Sequence, residues 1–117
     1  MKIIIAGGRT FDNYELLSEK CEQAFSLQTE IEIVTGKCAG ADSLGEQYAK
    51  EKGYKITEFP ADWDKYGKAA GYKRNEQMAI YADALIAFFD GESKGTKLMI
   101  ELAKKHELKV KVVKIWK

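Results

Sequence analysis

Residues 3–8 of the chain read Ile-Ile-Ile-Ala-Gly-Gly, an apolar run that stops at two glycines. An unbroken apolar run is typical of a β-strand that is covered on both faces, as strands of parallel sheets are. A similar run occurs at residues 84–91, which end in Asp-Gly, and residues 31–36, which end in Thr-Gly, are apolar apart from Glu32 and Thr35. These stretches predict buried parallel strands, each followed by a turn that contains glycine.

Segments with helical spacing alternate with these strands. The predicted strands are residues 3–6, 31–35, 55–59, 83–89 and 110–115, and the predicted helices begin at Asp12 and cover 41–52, 72–81 and 95–106. Asp12 and Glu15 have the spacing of a capping box, and Gly53 is suited to end the second helix. Residues 61–71 are expected to form a polar and aromatic loop.

The alternation predicts an α/β fold, a three-layer Rossmann-like domain with a five-stranded parallel sheet built from right-handed βαβ units. We expect the strand order 3-2-1-4-5, although the spacing alone also permits the flavodoxin-like order 2-1-3-4-5. The length of 117 residues predicts one domain over residues 1–117.

Composition excludes several classes of protein. The 19 basic and 18 acidic residues leave a net charge of +1, which argues against nucleic acid or anionic lipid as a partner. No apolar run approaches the roughly 20 residues that span a bilayer, and residues 1–8 do not resemble a signal peptide, so we expect a cytoplasmic location. Lysines that interleave with valines over 109–117 indicate a protected sheet-edge strand. Cys21, Cys38 and His106 have no metal-ligand or disulfide spacing, and we predict no metal and no cofactor.

Candidate site residues follow the predicted strands, because ligands of parallel sheets bind outside the carboxyl ends of the strands. Glycines before a helix leave amide N–H groups free to face an anion, which predicts a phosphate- or sugar-bearing ligand. Neither GxGxxG nor the Walker motif occurs, which argues against ordinary dinucleotide or ATPase sites. The candidate ligand-binding residues are Gly7, Gly8, Arg9, Thr10, Gly36, Lys37, Gly40, Ala41, Asp42, Trp63, Tyr66, Arg74, Asn75, Asp90, Gly91, Ser93, Gly95 and Thr96.

Several of these residues have a functional and a structural interpretation. Arg9 is suited to bind a phosphate through two parallel hydrogen bonds, or it braces its loop against Asp12 or Asp42. Asp42 caps the second helix or accepts ribose hydroxyls. Ser93 and Thr96 surround the start of the last helix, where they cap it or help to hold an anion.

The roles of the aromatic and sulfur-containing residues also have alternative interpretations. Trp63 and Tyr66 either stack on a base or cover the sheet edge. Met78 is expected in the core. Cys38 is a weak candidate for a nucleophile at a helix N-terminus, and His106 is expected to meet the carbonyl groups of its helix end.

Five motifs, in this order, resemble the YspA- and YpsA-related branch of the SLOG superfamily. They are Gly7-Gly8-Arg9 with Phe11, residues 36–42, residues 59–63 with 66–71, Arg74-Asn75 with Met78, and residues 90–96. The resemblance covers residues 5–104. It implies a Rossmann-like fold that binds nucleotides, nucleotide sugars or NAD-derived signals, in the setting of phages and other mobile elements. It also implies a homodimer formed through exposed helices, which the sequence does not fix.

Two departures from the family pattern bear on activity. Ala39 stands where this branch often carries an arginine, so one anion contact is absent or comes from Lys37. Related phosphoribohydrolases carry Pro-Gly-Gly-x-Gly-Thr-x-x-Glu, but here Met99 occupies the glutamate position after Gly95-Thr96. Glu101 lies about 200° further round the helix and is not a substitute.

Three hypotheses follow. The leading one is a module that binds or senses a small phosphorylated nucleoside-like ligand, such as an ADP-ribose-like molecule. The alternative is a hydrolase of nucleoside-monophosphate N-glycosidic bonds, with an acid or base from Asp42, Asp90 or Glu92, against which Met99 argues. The third is a nucleic-acid-associated or structural module, against which the charge balance argues.

Overall fold

The structure, a computed structural model, describes residues 1–26, 28, 30–37 and 40–115. Strands and helices alternate along this part of the chain. They are β1 (Lys2–Gly7), α1 (Tyr14–Phe25), β2 (Glu32–Thr35), α2 (Ala41–Lys52), β3 (Lys55–Glu58), α3 (Trp63–Tyr66), a 3-10 turn (Gly67–Ala69), α4 (Ala70–Tyr81), β4 (Ala84–Phe89), α5 (Lys94–Lys105) and β5 (Lys109–Lys114).

The five strands form one parallel sheet in the order β3-β2-β1-β4-β5. This confirms the predicted order 3-2-1-4-5 and excludes the flavodoxin-like alternative. β1 is central, and its Ile4 lies between Val34 of β2 and Leu85 of β4. The chain moves outward from β1 to β3 and then returns beside β1 as β4. The carboxyl ends of β1 and β4 therefore form the switch point at which such sheets bind ligands.

Alternation of side chains along β1 builds the two outer layers. Ile3 and Ile5 are buried with apolar residues of α1 and α2, whereas Ile4 and Ala6 are buried with those of α4 and α5. The sheet is thus covered on both faces, which explains why its central strands carry no alternating polar residues.

The start of α1 differs from the prediction. Asn13, not Asp12, is the N-cap, and its Oδ1 accepts a hydrogen bond from the Leu16 amide at 3.0 Å. The Phe11 ring is buried and stacks on Phe88, with ring centroids 4.9 Å apart. Anchoring of Phe11 leaves Asn13 as the residue that meets the first free amides of the helix, so the predicted Asp12 capping box is wrong.

The predicted loop over 61–71 is also wrong, because this segment is helical. Asp62 caps α3 by accepting the Lys65 amide at 3.1 Å, and a 3-10 turn leads into α4, which begins at Ala70. Ala70 is fully buried. Ala69 and Ala70, which precede Gly71, favour helix, and α4 continues through this glycine.

The C-terminal end of α5 differs from the prediction, whereas the edge strand β5 agrees with it. The His106 backbone N–H donates to the Leu102 carbonyl at 3.0 Å, but its buried Nε2 has no hydrogen-bond partner among the described residues. The prediction that its side chain meets the helix carbonyls is therefore wrong. β5 is an edge strand whose lysines at 109, 111 and 114 are exposed, as predicted, while Lys117 lies outside the described residues.

Glycines bring the exits of three strands into contact. A Cβ atom on Gly40, which precedes α2, would lie 2.1 Å from the carbonyl oxygen of Gly8. A Cβ on Gly7 would lie 2.7 Å from the Ala41 Cβ and 2.9 Å from the Phe88 carbonyl oxygen of β4. All three distances are shorter than van der Waals contact, so these segments approach as closely as they do only because the glycines carry no side chain.

We expect Gly40→Ala to lower the free energy of unfolding by about 1–3 kcal/mol more than Gly53→Ala. Both glycines have a positive φ, 78° and 74°, so both variants incur the strain of a left-handed backbone. Only Gly40 has backbone atoms in the way, since a Cβ on Gly53 meets nothing within 4 Å. Urea unfolding of the two variants measures the difference. Equal losses would show that the two loops are not in close contact.

Candidate functional site

A cleft opens at the carboxyl end of the sheet, above β1 and between the starts of α2, α4 and α5. Its deeper part, here called the inner compartment, has a volume of about 250 Å³. Most of the residues that line it are buried. The polar ones are Arg9, Asp42, Arg74, Asn75, Ser93 and Thr96, and the others are Ala6, Gly7, Met78, Gly95 and Met99.

A second cavity of about 360 Å³, here called the outer compartment, adjoins it. It is lined by Arg9, Gly36, Lys37, Pro60, Ala61, Trp63 and Arg74. Arg9 and Arg74 line both compartments, so the two compartments share a wall that contains two arginines.

Arg74 connects α4 to the loop after β2. Its Nη1 donates to the Gly36 carbonyl, and its Nε donates to Asn75 Oδ1 at 2.8 Å. The Gly36 amide in turn donates to Asp42 Oδ2 at 3.1 Å. A Cβ on Gly36 would lie 2.8 Å from Arg74 Nη1, so a larger residue here would require the Arg74 side chain to shift. The Gly36 amide and one Asp42 oxygen thus bond to each other rather than facing the cleft.

Arg9 is exposed and forms no hydrogen bond or ion pair with the residues described by the structure. The structural alternative, in which Arg9 braces its loop against Asp12 or Asp42, is not seen among these residues. Its guanidinium is therefore available to an anion.

Lys37 differs from Arg9 because its charge is already paired. Its Nζ lies 2.9 Å from Glu46 Oε1 and 2.8 Å from Glu58 Oε2, and these two carboxylates raise the pKa of Lys37. The ammonium group joins the loop after β2 to α2 and β3. We therefore expect Arg9, rather than Lys37, to meet a bound anion. Cys38 and Ala39, the candidate nucleophile and the residue that replaces the family's arginine, lie outside the described residues.

The turn between β4 and α5 is organised by its own polar groups. Asp90 Oδ1 accepts the amides of Glu92 and Ser93, both at 2.8 Å, and these hydrogen bonds lower the pKa of Asp90. Ser93 is the N-cap of α5, and its Oγ lies 2.9 Å from Thr96 Oγ1. Asp90 and Glu92 do not line either compartment.

The structure brings most of the predicted site residues to one cleft. Those that line neither compartment are Gly8, Thr10, Gly40, Ala41, Tyr66, Asp90 and Gly91. The Trp63 side chain is 57% exposed and lies at the outer compartment, so it does not cover the sheet edge. Tyr66 lies under the Lys65 ammonium, which is 5.1 Å from the centre of its ring.

Sequence analysis missed the apolar wall of the cleft. Met78 and Met99 are 3% and 2% exposed and line the inner compartment. Both have the spacing of core residues, so no local signal separates them from the rest of the core. Met99 occupies the position of the phosphoribohydrolase glutamate, while Glu101 is exposed to solvent, as its place on the helix predicted.

Comparison with known proteins identifies the family. A sequence model of the YspA, cpYpsA-related SLOG family matches residues 1–66, more than half of the chain. The chain belongs to this family. The matched SLOG residues include the first two glycine loops, at Gly7 and at Gly36–Gly40, and membership links the chain to nucleotide-related Rossmann-like proteins.

A phage protein is among the relatives of this SLOG chain. Gene 61 protein of Mycobacterium phage D29 is 29% identical over 111 residues, which cover 89% of each protein. Its source agrees with the mobile-element setting that the resemblance implied.

Two further findings concern membrane-spanning helices and metal sites in the described ranges of the chain. No helix there has the length and apolarity needed to cross a membrane. No three or more His, Cys, Asp or Glu side chains are grouped there in a way that could hold a metal ion.

The turn at Asp90 predicts a pH dependence of stability. Because the folded-state pKa of Asp90 is lowered, its ionised form adds stability above the ordinary aspartate pKa of about 3.9, and this is lost as the pH falls through the folded value. Asp90→Asn keeps an acceptor oxygen but removes the charge. We expect the variant to melt below the wild type at about pH 7 and the two melting temperatures to converge below about pH 3.

Thermal melts of both proteins between about pH 7 and 2.5 test this expectation. Asp12→Asn is the matched control, because the Asp12 side chain is exposed and forms no hydrogen bond with described residues. A difference between wild type and Asp90→Asn that stays constant with pH would contradict the role given to the Asp90 charge.

Proposed function

We propose that the cleft binds a small phosphorylated nucleoside-like ligand, with the phosphate beside Arg9 and the base against Trp63. The observation that carries this proposal is the unpaired Arg9 guanidinium between a small polar compartment and a larger one with an exposed aromatic side chain. A chain of 117 residues that binds such a ligand fits the role of a binding or sensing module.

Charge and hydrogen bonding favour a phosphate near Arg9. A guanidinium presents two parallel N–H donors that match two phosphate oxygens, which is the stronger form of such contacts. The inner compartment also borders the N-terminus of the 12-residue helix α5 at Gly95 and Thr96. The helix dipole favours an anion at this end.

Shape and exposure favour a base in the outer compartment. Its volume of about 360 Å³ is in the range of small-ligand sites, and Pro60 and Ala61 add apolar surface beside Trp63. Aromatic side chains bind bases by stacking, which contributes about 1–3 kcal/mol per base. A base on Trp63 would cover an indole ring that now faces solvent.

The side chains of the inner compartment favour binding over N-glycosidic hydrolysis. Met99 is a buried apolar residue where related hydrolases carry glutamate. Asp42 is the one carboxylate among the described lining residues, and its Oδ2 already accepts the Gly36 amide. General acid–base catalysis needs a carboxyl group that can exchange a proton with the ligand.

Arg9→Ala is expected to abolish stabilisation by AMP or ADP-ribose while leaving the melting temperature of the free protein unchanged. The Arg9 side chain forms no hydrogen bond or ion pair with the described residues, so its removal affects mainly the bound state. At a concentration of about 100 times Kd, a ligand stabilises the wild type by ~2.7 kcal/mol. Thermal shift with AMP, ADP-ribose, cyclic ADP-ribose and NAD measures this. The proposal fails if no ligand in the panel raises the wild-type melting temperature, or if Arg9→Ala responds like the wild type.

We also expect no release of free adenine from AMP by the wild-type protein. Chromatography after prolonged incubation, with protein-free AMP as the blank, tests this. Release above the blank would show that the cleft hydrolyses its ligand without a carboxyl group at position 99.

A further inference from the structure

Asn75 has a buried side-chain amide at the wall of the inner compartment. The residue is 8% exposed, and it lies on α4 directly after Arg74. Its Oδ1 accepts a hydrogen bond from Arg74 Nε at 2.8 Å. Among the described residues, His106 Nε2 is the one fully buried side-chain nitrogen or oxygen without a partner, so Asn75 Nδ2 retains contact with solvent.

The contact with Arg74 fixes which way the amide points. Arg74 Nε is only a donor, so the Asn75 atom that meets it must be the oxygen. The two N–H groups of Nδ2 therefore lie on the other side of the amide. No described residue accepts a hydrogen bond from them, although the residue lines the compartment.

Several other polar groups of the inner compartment already have hydrogen-bond partners within the protein. Ser93 Oγ and Thr96 Oγ1 are hydrogen-bonded to each other, and the Gly36 amide donates to Asp42 Oδ2. Among the side chains of the described lining residues, Asn75 Nδ2, Arg74 Nη2 and the Arg9 guanidinium are nitrogen donors for which no protein acceptor is found. Donors without acceptors match a ligand group that has only acceptors.

We propose that Asn75 is a specificity-determining residue that donates from Nδ2 to a phosphate oxygen and so favours nucleotides over nucleosides. Arg74 is a positioning residue, because its Nε holds the amide with the donors facing the compartment and its Nη1 is held by the Gly36 carbonyl. This inference rests on the proposed function, since it assigns the phosphate to the inner compartment.

The variant Asn75→Asp tests the donor directly. An aspartate at this position still accepts from Arg74 Nε, but it presents an anionic acceptor to the compartment in place of two N–H groups. We expect the Kd for AMP to rise by about tenfold or more and the Kd for adenosine to stay within about twofold of the wild type. Calorimetry with AMP and adenosine measures both values.

Gln77→Glu is the matched control. Gln77 lies two residues further along α4, is exposed and lines neither compartment, yet the variant makes the same change from amide to carboxylate. We expect both Kd values to stay within about twofold of the wild type. If Gln77→Glu weakens AMP as much as Asn75→Asp does, the effect is one of net charge and the inference is overturned.

A second measurement uses the unmodified protein and does not depend on the folding of a variant. The side-chain NH2 signals of Asn75 in a ¹H–¹⁵N spectrum should shift when AMP is added and should shift much less when adenosine is added. Equal shifts with both ligands, or no shift at saturating AMP, would overturn the inference.

The remaining outcomes separate this inference from the proposed function. If the wild type binds neither AMP nor adenosine, both fail. If the wild type binds AMP and Asn75→Asp binds it equally well, only the role of Asn75 fails. If Asn75→Asp loses AMP and adenosine to the same extent, the residue supports the structure and does not read the phosphate.

Discussion

The cleft depends on the close approach of two loops whose backbones touch where Gly40 meets Gly8 and Arg9. This contact places the β1 exit against the β2 exit, and Gly7 places the β1 exit against β4. The Arg9 backbone is thereby held at the switch point of the sheet. The backbone contacts at these glycines therefore set the shape of the cleft, and the lining side chains extend from the positions so fixed.

Within that frame, the cationic side chains around the cleft have different roles. Lys37 is paired with Glu46 and Glu58, Arg74 is occupied by Gly36 and Asn75, and Arg9 has no described partner. A charge that the protein already neutralises contributes little to the binding of an anion, whereas an unpaired one is available for it. This difference in pairing explains how a chain with a net charge of +1 can present an unpaired cationic side chain at the cleft.

The sequence was sufficient to predict most of the fold. Apolar runs and glycine stops are local signals, and they predicted five parallel strands and the bounds of α2, residues 41–52. The observed strand order was the expected one of two that the spacing permitted. The errors lie where tertiary contacts decide: the buried Phe11 moves the cap from Asp12 to Asn13, and α3 and the early start of α4 replace a predicted loop. The residues of the cleft were largely predicted because strand exits converge in any parallel sheet. Which of them are paired was not predictable, because Glu46 and Glu58 reach Lys37 from separate elements.

Arg9 and Trp63 border the same outer compartment with opposite physical character. Contact with the guanidinium is coulombic and is screened by added electrolyte, whereas contact with the indole face is apolar and is strengthened by salts such as sulfate. For a ligand of the proposed kind, the ionic strength of the medium would therefore set the relative contribution of these two contacts. Discrimination between charged and uncharged forms of such a ligand would be sharpest in dilute buffer and would fade in concentrated salt.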